Sequence, residues 1–284
     1  QLSVWTSTQG AFAVRSSVAD VLQQPVSKIK VTPMEIGGGF GGKITAYLDA
    51  IAALLSRKSG APVKLVMSRV DVFEASGPAP ATWVKVKIGA TKDGKFTAVQ
   101  AKLAFEAGAY PGSPVMQGMM CAFGCYDVAN GLLDGYDVVD NKPRTQAYRA
   151  PGAPIVMYCT ESLVDEIAEK LGMDAMDFRL LNAATEGTRR ADGVTNGPIG
   201  AEEVMQVVKD HPHYTTPIEQ VEGKLRGRGV SMGFCRNNTG PACAVANVLS
   251  NGTVNLVEGS VDIGGSRVAV AQQFAEVLGI PVED

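Results

Sequence analysis

The run Gly37-Gly38-Gly39-Phe40-Gly41-Gly42-Lys43 constrains this chain more than any other feature. Each glycine loses more backbone entropy on ordering than any other residue and buries no side chain in return. Side-chain packing gives no reason for such a run, so the expectation is a loop whose backbone approaches a ligand closely. An apolar strand over 29–32 leads towards it. An amphipathic helix over 47–58 follows, with Leu48, Ile51, Ala52 and Leu55 on one face and Gly60 just beyond its end. Held between strand and helix, the loop is expected to be fixed, with its N–H groups offered to an anion near a helix N-terminus.

Composition narrows the chemistry. Among 284 residues there are 32 Gly, five Cys and only two His, with a net charge of −3. The mild acidity argues against nucleic acid or an anionic membrane as partner. An apolar share of 45% is enough for a sizeable core, and charged residues at 19% argue against global disorder. The two His residues, His211 and His213, flank Pro212 in one loop-like stretch, so neither a His-based triad nor a multi-His zinc site is expected. Cys121, Cys125, Cys159, Cys235 and Cys243 are odd in number and irregularly spaced, which points to reduced thiols and a cytoplasmic protein. The run from Ala107 to Tyr126 carries no charge, but its Gly and Pro residues suit a buried loop better than a membrane span. The chain opens at Gln1 without an initiator Met and stops after a helix-like stretch, which reads as a piece of a longer polypeptide.

The remaining pattern mixes strands and helices. Strands are expected over 2–6, 63–67, 84–88 and 96–103, with a hairpin turn at Asp93-Gly94. A helix over 160–171 has Thr160 as its expected cap and Gly172 at its end. A second hairpin turns at Asn251-Gly252. Residues 19–26 and 275–282 echo each other at a constant offset, each after a strand and a turn, which places Gln9 opposite Gly265. The expected organisation is a first lobe over 1–186, a connection over 187–225, and the start of a second, related lobe over 226–284. Each lobe is expected to be a mixed sheet with flanking helices, an α+β fold.

Two nucleotide motifs fit the glycine run poorly. A P-loop requires Ser or Thr after its Lys, and Ile44 stands there instead. The Gly-x-Gly-x-x-Gly of dinucleotide folds is met by Gly37, Gly39 and Gly42. The acidic partner about twenty residues on is missing, because that stretch reads Arg57-Lys58-Ser59-Gly60. A non-catalytic anion- or nucleotide-binding or structural module built on 37–43 stays open as an alternative. Arg149, in Gln146-Ala147-Tyr148-Arg149-Ala150-Pro151-Gly152, either points into a cleft or pairs with a carboxylate such as Glu161. Gln9, at the tip of the first strand, is either a turn residue or part of a site.

Together, Ser7-Thr8-Gln9, Gly37 to Lys43, Gly108-Ala109-Tyr110, Ala147-Tyr148-Arg149, Arg179-Leu180-Leu181-Asn182, Gly227-Arg228-Gly229 and Asp262-Ile263-Gly264-Gly265 occur in order along the chain. In this the chain resembles the molybdenum-cofactor-binding large subunit of the xanthine dehydrogenase and aldehyde oxidase family. The resemblance implies a two-lobed molybdopterin-binding fold, its second lobe incomplete here. It also implies a parent enzyme that hydroxylates an aldehyde or aromatic heterocycle with water as the oxygen source. Electrons would pass to iron–sulfur clusters and FAD on partner domains or subunits, and the cofactor would carry the hard chemistry.

By position, Gln9 would hydrogen-bond an oxygen ligand of molybdenum. Gly38, Gly39, Phe40 and Gly41 would wrap metal and pterin, Arg149 would lie beside them, and Gly264 and Gly265 would contact the cofactor. The metal would be held through the pterin, with no direct protein ligand. Ile44, Gln117 and Pro151 would line the substrate pocket. Ile44 replaces the Glu, and Gln117 the Arg, of xanthine-oxidising members, so purine hydroxylation is not expected. No Cys adjoins Arg149, so carbon monoxide oxidation is not expected either. Gly265 replaces a Gln common in the family. The family's general-base Glu lies near the end of the large subunit and has no counterpart here. The piece alone is therefore expected to be inert and to bind cofactor weakly or not at all.

Overall fold

The computed structural model describes residues 1–235 and 240–283. In chain order its elements are β1 (Leu2–Thr6), α1 (Ala11–Leu22), β2 (Ile29–Pro33), α2 (Asp49–Ser59), α3 (Arg69–Ala75), β3 (Thr82–Ala90) and β4 (Phe96–Gly108). There follow α4 (Val115–Cys121), β5 (Gly131–Val139), α5 (Ala153–Leu171), α6 (Ala175–Leu181), α7 (Ala201–Asp210), α8 (Pro212–Thr215), β6 (Ala244–Val248), β7 (Val254–Glu258) and α9 (Ser266–Leu278). The α+β expectation is met. The chain divides into two compact units, one of 1–78, 146–149 and 240–283, the other of 79–145 and 150–235. These units are discontinuous, whereas the segments expected from sequence, 1–186, 187–225 and 226–284, are contiguous. Positions 236–239 and 284 of the last segment lie outside the described residues.

In the first unit β1 and β2 pair in parallel, Val4 opposite Val31, with α1 as the crossover between them. The turn-by-turn recurrence of Val14, Val18 and Leu22 gives α1 one buried stripe, which packs with Ile29 and Ala53. α1 closes on a left-handed residue, Gln23, and the Gln24 N–H donates to the Ala19 carbonyl at 3.0 Å. α9 closes in the same way: Gly279 is left-handed and the Ile280 N–H donates to the Ala275 carbonyl at 3.1 Å. The two stretches that echo in sequence thus end their helices with the same hydrogen bond. β6 and β7 form the expected hairpin at Asn251-Gly252. The strand expected over 63–67 does not form. It pairs with no described strand, and Val66 is exposed, so an apolar run without a ladder partner stays irregular.

In the second unit β4 is central, antiparallel to β3 across the Asp93-Gly94 turn and parallel to β5. Val99, Ala101, Leu103 and Phe105 of β4 alternate inward to one core with residues of α4 and α5. Three sequence expectations are corrected here. The uncharged run is not all loop: it contains α4. A Cβ on Gly118 would sit 3.0 Å from Val156 Cγ2, so glycine lets α4 approach α5 closely. α5 begins at Ala153 rather than at 160. Gly152 is its N-cap and Pro154 sits in its first turn, where its missing N–H loses nothing. Thr160 is not a cap but a buried mid-helix residue whose hydroxyl donates to the Val156 carbonyl at 3.1 Å. The segment 187–225 contains α7, whose Met205 is buried with Met176 and Ala183.

One buried ion pair anchors this unit. Arg179 is fully buried; its Nε donates to Glu161 Oε2 at 2.9 Å and its Nη2 lies 2.7 Å from Asp165 Oδ1. Glu161 also accepts from the Tyr126 hydroxyl at 2.5 Å and from the Met232 N–H at 2.8 Å. Burial, and then the Glu161 carboxylate, push the Tyr126 phenol far above its ordinary pKa, so it remains a donor. Arg179→Ala would strand the carboxylate and is expected to destabilise this unit by about 3–5 kcal/mol. Urea unfolding of the chain in a Trp5→Phe background, where Trp83 alone reports, checks it; a loss below about 1 kcal/mol would contradict the assignment.

All five cysteines are thiols. Burial pushes the Cys125 thiol up to about 12, so it stays protonated and unreactive at neutral pH. Iodoacetamide is therefore expected to label exposed Cys243 in the native chain and to spare Cys121 and Cys125 until the chain is unfolded. Mass mapping of the labelled peptides gives the result directly.

Candidate functional site

The glycine loop belongs to the first unit and leaves β2 towards α2. Its conformation is left-handed at Gly37 (φ 61°), Gly38 (φ 97°), Phe40 (φ 49°) and Gly41 (φ 96°). Phe40 in that region is strained for a residue with a side chain. The loop is held from the end of β1. Gln9 Oε1 accepts the N–H groups of Gly41 at 2.9 Å and Lys43 at 3.2 Å, while the Gln9 N–H donates to the Lys43 carbonyl at 2.9 Å. The Thr8 hydroxyl donates to that same carbonyl at 3.3 Å.

Two of the glycines answer to packing against the protein itself, which corrects the expectation that packing gives no reason for them. A Cβ on Gly39 would lie 2.5 Å from Gln9 Oε1. One on Gly41 would lie 2.7 Å from the Ala147 carbonyl oxygen. The stretch 146–149 thus belongs against the loop. The Thr45 hydroxyl donates to Gln146 Oε1 at 2.9 Å, and the Arg149 guanidinium carbon is 6.0 Å from the centre of the Phe40 ring. Arg149 and Phe40 are both exposed. The carboxylate suggested as an Arg149 partner, Glu161, is committed to Arg179 and Tyr126.

What this surface offers is donors. With Oε1 engaged twice, Gln9 has its Nε2 left to donate. The N–H groups of Gly38, Gly39 and Phe40 meet no acceptor among the described residues. Together with the Arg149 cation they suit a group rich in acceptor oxygens and negative charge. A triphosphate reading loses its Lys: Lys43 Nζ donates to Ser7 Oγ at 2.8 Å and to the Ile36 carbonyl, and Ile44 follows it, exposed. Sequence reasoning missed this use of Lys43, and also the contact of Ala147 with Gly41.

The other expected site residues belong to other elements. Gly264 and Gly265 are left-handed at the start of α9 in the same unit, where the Gly265 N–H donates to Asp262 Oδ1 at 2.9 Å. No hydrogen bond or ion pair joins them to the glycine loop among the described residues. Gln117 is an exposed residue of α4, and Pro151 sits in the turn before α5, both in the second unit.

In this parallel β-α-β unit the second strand leads into a glycine loop that Gln9 clamps from beyond the end of the first, an arrangement that turns backbone donors outward. Residues 1–183 match the family model described as molybdopterin cofactor-binding domain, and the chain belongs to that family. The chain is 32% identical over 295 residues to the aldehyde oxidoreductase molybdenum-binding subunit PaoC of Escherichia coli. That alignment covers all of this chain and 39% of the relative. It is 34% identical over 213 residues to the nicotinate dehydrogenase large molybdopterin subunit of Eubacterium barkeri, covering 74% of this chain and 50% of the relative. Among solved structures, aldehyde oxidoreductase from Desulfovibrio gigas superposes with a TM-score of 0.85 at 22% identity. It shares the fold over 99% of this chain and 32% of its own.

Gly41→Ala combines a left-handed backbone with a clash against the Ala147 carbonyl, and is expected to destabilise the first unit by about 1–3 kcal/mol. In a Trp83→Phe background Trp5 reports that unit during urea unfolding. A midpoint equal to that of the parent chain would show that the loop does not rest on 146–149.

Proposed function

We propose that this chain is the molybdenum–pterin-holding part of a molybdenum hydroxylase. The parent oxidises an aldehyde or an aromatic heterocycle with water as the oxygen source. It passes electrons to iron–sulfur clusters and FAD on partner domains or subunits. The observation that carries this reading is the Gln9 side chain. Its oxygen is taken by Gly41 and Lys43, which leaves an amide donor beside a loop with N–H groups that lack acceptors.

When bound, the molybdenum–pterin group supplies the redox centre and the site of oxygen transfer. Gln9 Nε2 would donate to an acceptor oxygen of the group. Phe40 and its flanking glycines hold the group by backbone contact, and Arg149 sets a cation beside it. Gly264 and Gly265 form a further edge. Because the Gly265 N–H is already engaged by Asp262, Gly265 contributes by close approach rather than by donation. Ile44, Gln117 and Pro151, which the resemblance assigns to substrate contact, carry no formal charge, which suits a neutral aldehyde or heterocycle better than an ionically anchored purine.

Glu35 and Glu258 are the carboxylates nearest in sequence to the glycine loop and to the Gly264-Gly265 turn, and neither takes the proton-accepting role. A general base works best with its pKa near the operating pH. The Glu258 carboxylate is held below its ordinary range by the Ser260 hydroxyl and N–H. Glu35 is exposed and makes no hydrogen bond among the described residues. On this reading 1–186 is one lobe, 187–225 a connection, and 226–284 opens a related lobe. None of the described helices is long and apolar enough to cross a membrane. The reduced thiols suit a parent in the cytoplasm.

The test is Gln9→Ala in the full-length protein. Molybdenum bound per protein, measured by atomic emission, is expected to fall at least about tenfold if one charge-assisted donor anchors the group. The 284-residue chain by itself is expected to show no aldehyde turnover. Stoichiometric molybdenum in the variant, or turnover by the chain alone, would overturn the proposal.

A further inference from the structure

Lys43 occupies a place in the glycine loop that the proposed cofactor contacts do not use. Its backbone and side chain together touch both ends of the loop and the strand that clamps it. The ammonium crosses back to the carbonyl of Ile36, the residue immediately before the first glycine, and donates to Ser7 Oγ at 2.8 Å. The Ser7 hydroxyl itself donates to the Ile36 carbonyl at 3.4 Å. At the other end the Lys43 N–H donates to Gln9 Oε1 and the Lys43 carbonyl accepts from Gln9 N–H and Thr8 Oγ1. Ile36 is buried, so the start of the loop is fixed where the ammonium meets it.

We infer that Lys43 is a positioning residue: its ammonium closes the glycine loop into a ring on Ser7 and Ile36 and thereby fixes which way the Gln9 amide faces. A loop of five glycines has little stiffness of its own, because each can adopt several backbone conformations at similar energy. Tying position 43 back to position 36 removes most of that freedom. It holds the Gly41 and Lys43 N–H groups 2.9 and 3.2 Å from Gln9 Oε1. With Oε1 captured, the amide cannot turn over, and Nε2 is the atom presented outward. Without the ammonium the two ends separate, the N–H pair disperses, and Gln9 loses the contacts that choose its donor face. An uncharged side chain cannot replace this, because hydrogen bonds from an ammonium are roughly twice as strong as neutral ones.

The inference rests on the reading of the loop as a cofactor cradle, and two separate measurements distinguish failure of one from failure of the other. Lys43→Met, Lys43→Arg and Ser7→Ala are made in the full-length protein. Hydrogen–deuterium exchange is then followed over peptide 36–45 in the cofactor-free form, and retention of molybdenum and pterin after gel filtration in the loaded form. Lys43→Met is expected to speed exchange of that peptide by about tenfold or more, as loss of local protection does. β4 peptides are expected to be unchanged, and retained cofactor to fall in parallel. Lys43→Arg restores both, and Ser7→Ala gives a smaller change in the same direction. If Lys43→Met also loosens β4, the exposed Ser7→Ala carries the test in its place. Unchanged exchange of 36–45 overturns the inference, and so does faster exchange with full cofactor retention. A parent protein that takes up no molybdenum or pterin overturns the functional reading, and exchange alone then decides the clamp.

Discussion

Two hydrogen bonds to one side-chain oxygen carry the architecture of the site. Gln9 Oε1 accepts from Gly41 and Lys43, so a strand-end side chain supplies the partner that neither a helix nor a ladder provides to an irregular loop. Everything else at the surface follows from that capture. The loop is pressed close enough to Gln9 that position 39 has no space for a Cβ. Position 41 is pressed against the Ala147 carbonyl, which brings the stretch 146–149, and with it Arg149, into the first unit. Phe40, between two glycines that absorb the turn, is left exposed in a strained conformation. Strain at such a position is tolerated only where the surroundings over-determine it.

The second unit solves a different problem. Its buried centre combines an apolar face from β4 with the hydrogen-bonded set of Tyr126, Glu161 and Arg179. A charge pair out of water stabilises little in net terms, but removing one member leaves the other unpaired in the core. The pair joins α5 to α6, and through the Met232 N–H it also fixes a segment remote in sequence. The compactness of this unit thus rests on one polar knot and one apolar layer, neither of which uses the glycine-rich chemistry of the first.

Much of this was legible in the sequence where local chemistry decides the outcome. The strand over 2–6 and the Asp93-Gly94 and Asn251-Gly252 turns depend on nearest neighbours, and they stand as expected. The helix ending before Gly60 also forms, but Ala53 with Ala50 and Leu54 makes its packed face, and Ile51 and Leu55 of the expected stripe are exposed, because the partner elements choose the face. The echo of 19–26 in 275–282 is mirrored by matching helix closures on Ala19 and Ala275. Failures occurred where distant contacts decide. The apolar stretch 63–67 found no partner strand. β5, broken by Gly131, Gly135, Asp134 and Asp137, forms because β4 offers it an edge and Met119 fills the space beside Gly135. The first two turns of α5 were hidden by Pro154 and Gly152, which read as loop until their places as first-turn residue and cap are seen.

By itself the sequence determined the glycine loop, its position between strand and helix, and the order of motifs that mark the molybdopterin cofactor-binding family. These are properties of residue type and spacing, which local conformational preference translates directly. Only the tertiary structure decided that Gly39 and Gly41 answer to Gln9 and Ala147, that Lys43 turns back on its own loop, and that Glu161 belongs to Arg179. Each is a contact between groups distant along the chain, or a choice among several partners of equal chemistry. Such choices are made by geometry once the backbone is folded, and spacing along the chain does not encode them.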